Sequence, residues 1–410
     1  MKWRIGIAVG CAVAMLFMGL PAAAGSTVLY DEESGETVEQ LLAENATVWP
    51  TMTTPETTAG LEIHAKSAVL MDQGSGTILY EKNSREHLPI ASVTKVMTLL
   101  LVMEAIDGGR LSWQETVTCS DRAASMGGSQ IWLEPGEIMT VEELVKAAAV
   151  VSANDACTAL AEHISGTLEA FVAAMNERAA QLGMQNTRFV DCSGLDDSGY
   201  SCAYDVALMS RELMTHPDIE RFTTIWMDSL RGGESQLVNT NKLVRHYTGA
   251  TGLKTGTTQQ AGHCLAATAK REKTAFVAVV LGCDTTAHRF DGARALLDYG
   301  FSGFVSYTPP AEQLTVSAVP VLHGQAEQVK VEVETPASML LKKGTDSQVT
   351  SSVELAADVQ APVEKGQVLG TWRLLLGDEV LGEYPIRAVQ AVPAVTFRWA
   401  YAWLLSCLLA

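Results

Sequence analysis

The chain has 410 residues, 47% of them hydrophobic, which is enough for two folded units that each bury a core. Its formal net charge is −18, and no Lys/Arg-rich block or basic aromatic stripe interrupts that acidity, so nucleic acid is excluded as a partner. Eight histidines lack H-E-x-x-H or similar ligand spacing and eight cysteines include no C-x-x-C pair, so the sequence calls for no metal and no other cofactor.

Residues 1–24 read as an export signal. Lys2 and Arg4 make a basic start, Ile5 to Leu20 an apolar run, and Ala22-Ala23-Ala24 a small-residue cleavage site. Residues 25–60, rich in Glu, Thr and Ala and without an apolar period, read as a flexible leader. A strand hairpin is predicted next, from Ala68 to Asp72 and from Thr77 to Tyr80 around a Gly-Ser-Gly turn. Apolar residues at three- and four-residue spacing then predict helices over 92–106, 141–165 and 168–182. Strands return over 264–269 and 274–282, separated by Lys270-Arg271-Glu272-Lys273. A sheet whose first and last strands bracket a helical block gives an α+β layout for residues 61–306.

Past Pro309-Pro310 short alternating segments such as 329–333 and 368–376 predict a small all-β domain over 311–392. Residues 394–410 form an apolar, aromatic-rich tail, short for a membrane span, and Trp399, Tyr401 and Trp403 suit a helix lying at a membrane interface. Outside the signal and the tail, Cys119, Cys157, Cys192, Cys202, Cys264 and Cys283 read as small buried hydrophobes. Cys192 with Cys202, and Cys264 with Cys283, are near enough in sequence to be tested as disulfides.

Three short motifs carry the chemistry. Ser92-Val93-Thr94-Lys95 at a helix start puts a hydroxyl and an amine on one face, a nucleophile with its own base. Lys95 can take the serine proton if burial and a second cation lower its pKa. Ser152-Ala153-Asn154 follows, and Lys254-Thr255-Gly256 comes a hundred residues later; each motif occurs once and in that order. Ser152 can relay a proton to the leaving amine, and Asn154 can hold a substrate amide and orient Lys95. Lys254 supplies the second positive charge, Thr255 can donate to a carboxylate, and Gly256 lets substrate backbone approach the strand edge. The backbone N–H groups of Ser92 and Thr257 form the expected oxyanion hole.

This ordered trio is the signature shared by penicillin-binding proteins and class A β-lactamases. The chain resembles the serine D-alanyl-D-alanine carboxypeptidases among the low-molecular-weight penicillin-binding proteins. The likeness extends to Ala124-Ser125-Met126-Gly127-Gly128-Ser129, Asp155-Ala156, Met175-Asn176-Glu177, Leu182-Gly183-Met184, Gly194-Leu195-Asp196, Ala261-Gly262 and the run from Leu296 to Phe301. It departs at Asp191-Cys192-Ser193, at Gly199 to Ala203, and at Thr257, where the family often has histidine or an aromatic residue. No E-x-x-L-N string of the class A β-lactamases precedes Lys254.

The resemblance implies a β-lactamase/penicillin-binding-protein-like antiparallel sheet with a helical block, followed by the small all-β domain. It implies an enzyme that removes the terminal D-alanine from peptidoglycan pentapeptide stems through an acyl-enzyme on Ser92, and that β-lactam antibiotics inhibit covalently. It further implies that Arg289 binds the substrate's terminal carboxylate, and that the exported protein works at the outer face of the cytoplasmic membrane through its tail.

Overall fold

The computed structural model describes residues 61–310, 315–334 and 338–409. The expected signal and leader lie outside the described residues. Strands β1 (Ser67–Asp72) and β2 (Ile78–Lys82) pair antiparallel, as the hairpin pattern predicts. Their turn is closed by Asp72, whose carboxylate accepts from the Ser75 backbone N at 2.6 Å and from its hydroxyl at 2.7 Å. A 3-10 turn over Ala91–Thr94 leads into α1 (Lys95–Asp107), and α2 (Val141–Val150), α3 (Asn154–Ser165), α4 (Leu168–Gln181) and α5 (Ala203–Leu213) complete the helical block.

Strands β3 (Ala250–Thr258), β4 (Gly262–Arg271) and β5 (Thr274–Cys283) then join the first hairpin, and α6 (Thr286–Gly303) closes the domain. The sheet order is β2-β1-β5-β4-β3, antiparallel throughout, with β3 at the edge. Every residue of β1 is buried because the sheet separates two cores. Val69 and Met71, with Val277 and Val279 of β5, face the helical block, whereas Ala68 and Leu70, with Phe276 and Ala278, face α6. Period-two alternation between two apolar layers explains why β1 and β5 read as near-continuous hydrophobic runs. Helix α1 is buried almost all round, as a helix inside such a block must be.

The single helix predicted over 141–165 is two. A capping box starts α2: the Thr140 hydroxyl accepts from Glu143 N at 3.2 Å, and the Glu143 carboxylate accepts from Thr140 N at 2.9 Å. The chain breaks at Val151 to Ala153, where Ser152 adopts a left-handed backbone with φ 66°. Apolar spacing continues on both sides of the break, so periodicity alone cannot reveal it. The consequence is that Ser152 and Asn154 sit in a helix junction.

After β6 (Phe304–Tyr307), the strands β7 (Val319–Leu322), β8 (Gln328–Val329), β9 (Val331–Val333), β10 (Met339–Lys342), β11 (Val349–Leu355), β12 (Val359–Gln360), β13 (Val368–Leu376) and β14 (Glu379–Ala388) follow. They form a three-stranded sheet β8-β7-β12 and a four-stranded sheet β9-β14-β13-β11, and β10 pairs back onto β6. Trp372 is fully buried among Val333, Leu341, Leu374 and Ile386. Helix α7 (Phe397–Leu409) ends the described chain and buries no residue.

All six cysteines between residues 119 and 283 are free and buried; neither sequence-near pair is bridged. Trp372→Ala is expected to destabilise the C-terminal sheets by about 3–5 kcal/mol. Limited proteolysis checks this: cleavage within 311–392 should accelerate while α1 to α6 stay protected.

Candidate active site

Ser92 is half-buried, whereas Lys95, one turn on, is 0% exposed and donates from Nζ to Ser92 Oγ at 3.0 Å. The same Nζ donates to the Ser193 carbonyl at 2.7 Å. Burial pushes Lys95 below the ordinary lysine value of 10.5, opposed by the thiols of Cys157 and Cys192 and the carboxylates of Asp191 and Asp155. Burial also pushes those thiols up, Cys157 to about 11 and Cys192 to about 12. Both are therefore uncharged at neutral pH, which leaves only the carboxylates to favour the ammonium. A neutral amine at hydrogen-bond distance from a serine hydroxyl can accept its proton.

The helix junction brings the second motif alongside. The start of α3 packs against α1, and the Asp155 carboxylate, just beyond Asn154, acts electrostatically on Lys95. Asn154 Nδ2 donates to the Gly127 carbonyl at 2.7 Å, and Asn154 N donates to the Ser129 carbonyl at 2.7 Å. Ser152 Oγ and Asn154 Oδ1 are buried and make no hydrogen bond within the protein. An unpaired buried polar atom costs about 1–3 kcal/mol, so both atoms are available to a further partner.

Strand β3 presents the third motif on two faces. Lys254 and Gly256 lie opposite Ala266 and Cys264, on the face toward the helical block, and Thr255 and Thr257 lie opposite Leu265 and His263 on the other. Lys254 is buried and donates to the Thr255 carbonyl at 2.9 Å. Burial first, and then the like charges of Lys95 and Arg289, hold it well below 10.5. Burial, expected to act on Lys95 together with a second cation, is the leading cause for both amines. Gly256 is pressed against the nucleophile: a Cβ there would stand 2.6 Å from the Ile90 carbonyl and 3.1 Å from Ser92 N.

Arg289, at the start of α6, donates to the Gly256 carbonyl at 3.2 Å and to Thr257 Oγ1 at 3.1 Å, while its Nε is buried and unpaired. The Thr257 side chain, to which sequence reading assigns no role, thus touches the guanidinium. Thr255 Oγ1 donates to Thr240 Oγ1 at 2.7 Å.

Sequence reasoning missed the supports of this site. Asp191 accepts from the backbone N of Ser193 at 2.6 Å and of Asp196 at 2.7 Å, and also from Gly194 N, which fixes the turn whose Ser193 carbonyl holds Lys95. Gly194, with φ 74°, packs against the Ala91 carbonyl with no room for a side chain. The string Asp-Cys-Ser-Gly is a readable Asx-turn signal. Asp155 accepts from Ile131 N and Leu133 N, both at 3.1 Å, a pairing that local sequence does not announce. His263 Nδ1 stands 3.3 Å from Thr257 Oγ1 and 3.3 Å from Thr286 Oγ1, again a product of strand register.

The sheet, block and C-terminal sheets are those of the low-molecular-weight penicillin-binding proteins. Penicillin-binding protein 5 of Haemophilus influenzae superposes with a TM-score of 0.72 at 31% identity, covering 83% of this chain and 99% of that one. Penicillin-binding protein D2 of Listeria monocytogenes, solved in its ampicillin-bound form, gives a TM-score of 0.54 at 34% identity over 59% of this chain and 99% of that one. Residues 51–285 match the peptidase S11, D-alanyl-D-alanine carboxypeptidase, family, and residues 306–394 match the penicillin-binding protein 5 C-terminal domain. The D-alanyl-D-alanine carboxypeptidase DacF of Bacillus subtilis is 43% identical over 83% of this chain and 89% of its own length, and DacC of Escherichia coli is 32% identical over 82% and 86%. The chain belongs to the D-alanyl-D-alanine carboxypeptidase family of serine peptidases.

Both lysines lie below the ordinary lysine value, and an amine that accepts the serine proton must be neutral. Acylation of Ser92 by a simple thioester should rise with pH and level off, with a midpoint below 10.5 because the folded value is depressed. A midpoint at 10.5, in stopped-flow measurements across pH, would show a solvated lysine instead.

Proposed function

We propose that Ser92 is the acylated nucleophile of a D-alanyl-D-alanine carboxypeptidase acting on peptidoglycan pentapeptide stems. The observation that carries this reading is the buried Lys95 Nζ at 3.0 Å from Ser92 Oγ. Lys95 takes the serine proton as Oγ attacks the penultimate carbonyl. Ser152 passes a proton to the departing D-alanine nitrogen, and water then cleaves the ester. Asn154 Oδ1 accepts from the amide upstream of the scissile bond. Lys254, Thr255 and Arg289 draw the terminal carboxylate, with Thr257 holding the guanidinium, and Gly256 admits the substrate backbone. The N–H groups of Ser92 and Thr257 bind the developing oxyanion. A β-lactam presents the same carbonyl and carboxylate and acylates Ser92 without rapid release.

The test is D-alanine release from diacetyl-L-Lys-D-Ala-D-Ala, with labelled penicillin as titrant. Many turnovers per bound penicillin are expected, with a loss of at least about 10³-fold in Ser92→Ala. Labelling without release would sink the carboxypeptidase in favour of a sensor, and rapid loss of the label would favour a β-lactamase.

The chain is proposed to be exported by its N-terminal signal and held at the outer face of the cytoplasmic membrane by α7. Thirteen residues of helix span roughly 20 Å, short of a hydrocarbon core of about 30 Å. Among the described residues no helix is long and apolar enough to cross a membrane. Phe397, Tyr401, Trp403, Leu404 and Leu408 are nonetheless all exposed, which supports a helix lying in the interface. Co-sedimentation with phospholipid vesicles should be lost on deleting 394–410, and binding that survives the deletion would place the contact elsewhere.

A further inference from the structure

Trp132 is the most exposed large hydrophobic side chain of the domain built on the five-stranded sheet, at 75%, and it is also backbone-strained, with φ 61°. A bulky residue in the left-handed region is an outlier that persists only where its surroundings enforce it. Here the enforcement is visible. The Asp155 carboxylate, 0% exposed, accepts from the backbone N on each side of Trp132, at 3.1 Å from Ile131 and 3.1 Å from Leu133. On the other flank Arg231 donates to the Ile131 carbonyl at 2.9 Å and is itself held by Glu137 at 2.7 Å. A buried carboxylate is thus spent on fixing a segment whose central indole packs against little of the protein.

That segment is continuous with the site. Asn154, next to Asp155 in sequence, ties the Gly127 and Ser129 carbonyls to the helix junction. Three Cα steps of about 3.8 Å place Trp132 within roughly 11 Å of Ser129. Asn154 is the residue assigned to the amide upstream of the scissile bond, so the segment that carries Trp132 is anchored beside the residue that meets the part of the substrate not cleaved off. Four extended residues reach roughly 14 Å, which brings the sugar end of a pentapeptide stem into that region. A pyranose ring offers one apolar face of C–H groups with partial positive charge, and the indole face is flat and partially negative.

We propose that Trp132 is a carbohydrate-stacking platform for the glycan from which the stem peptide hangs. The proposal rests on the carboxypeptidase reading above and adds to it a preference for glycan-linked stems over free ones. Asp155 acts here as a positioning residue, through the two backbone N–H groups it holds.

The test compares one pentapeptide free and carried on its disaccharide, using wild type, Trp132→Ala and Trp132→Phe in the full chain. Trp132→Ala should lower kcat/KM for the disaccharide substrate roughly three- to tenfold, mainly through KM. The free pentapeptide and penicillin labelling should be unchanged, and Trp132→Phe should restore most of the loss. Equal loss on both substrates would place Trp132 against the peptide and overturn the glycan contact. No loss on either, or reduced penicillin labelling from a disturbed site, would also overturn it. Failure of the wild type to turn over the free pentapeptide would instead defeat the underlying carboxypeptidase reading.

Discussion

A lysine with no solvent exposure, sharing its Nζ between Ser92 Oγ and the Ser193 carbonyl, is the constraint around which this domain is arranged. Burying an ammonium is costly, and each neighbour bears on how that cost is met or avoided. Asp191 ties down the turn that supplies the Ser193 carbonyl, and Thr98 Oγ1 donates to the Cys192 carbonyl at 2.6 Å to hold the same turn against α1. The thiols of Cys157 and Cys192 remain protonated, so the carboxylates of Asp191 and Asp155 are the negative charges that favour the cation, and burial outweighs them. The outcome is an amine poised to be a base.

The sheet decides where the remaining charges go. Its two faces belong to two separate cores, and its edge strand β3 inherits that division. Gly256 therefore presses on the Ile90–Ser92 turn, while Thr257 meets Arg289 of α6 and Thr255 meets Thr240. A strand edge also leaves backbone groups free to pair with an extended chain, which suits a peptide substrate. Among the buried polar atoms that the fold leaves unpaired are Ser152 Oγ and Asn154 Oδ1 at the helix junction and Arg289 Nε on α6. Leaving them buried lowers stability in exchange for a site that is organised before substrate arrives.

Much of this was legible in the amino-acid sequence. The hairpin of β1 and β2, the helices after Ser92, the pair β4 and β5 and the C-terminal strands all carry a period or a turn signal that depends only on neighbouring residues. The three motifs were legible for the same reason: each is a local string. What resisted reading was the break at Ser152, because a left-handed residue changes the chain's direction without changing the spacing of apolar residues.

Sequence by itself determined the elements, their rough order, the α+β class and the residue types required for serine acylation, since these follow from local propensity and side-chain chemistry. Tertiary structure alone decided which groups are desolvated, and so that burial leads in depressing Lys95. It also decided the partners of Asp155 and His263, and that the Ser193 carbonyl meets Lys95, pairings that lie tens of residues apart or depend on strand register. Solvation and long-range pairing are properties of a packed three-dimensional arrangement, and no window along the chain contains them.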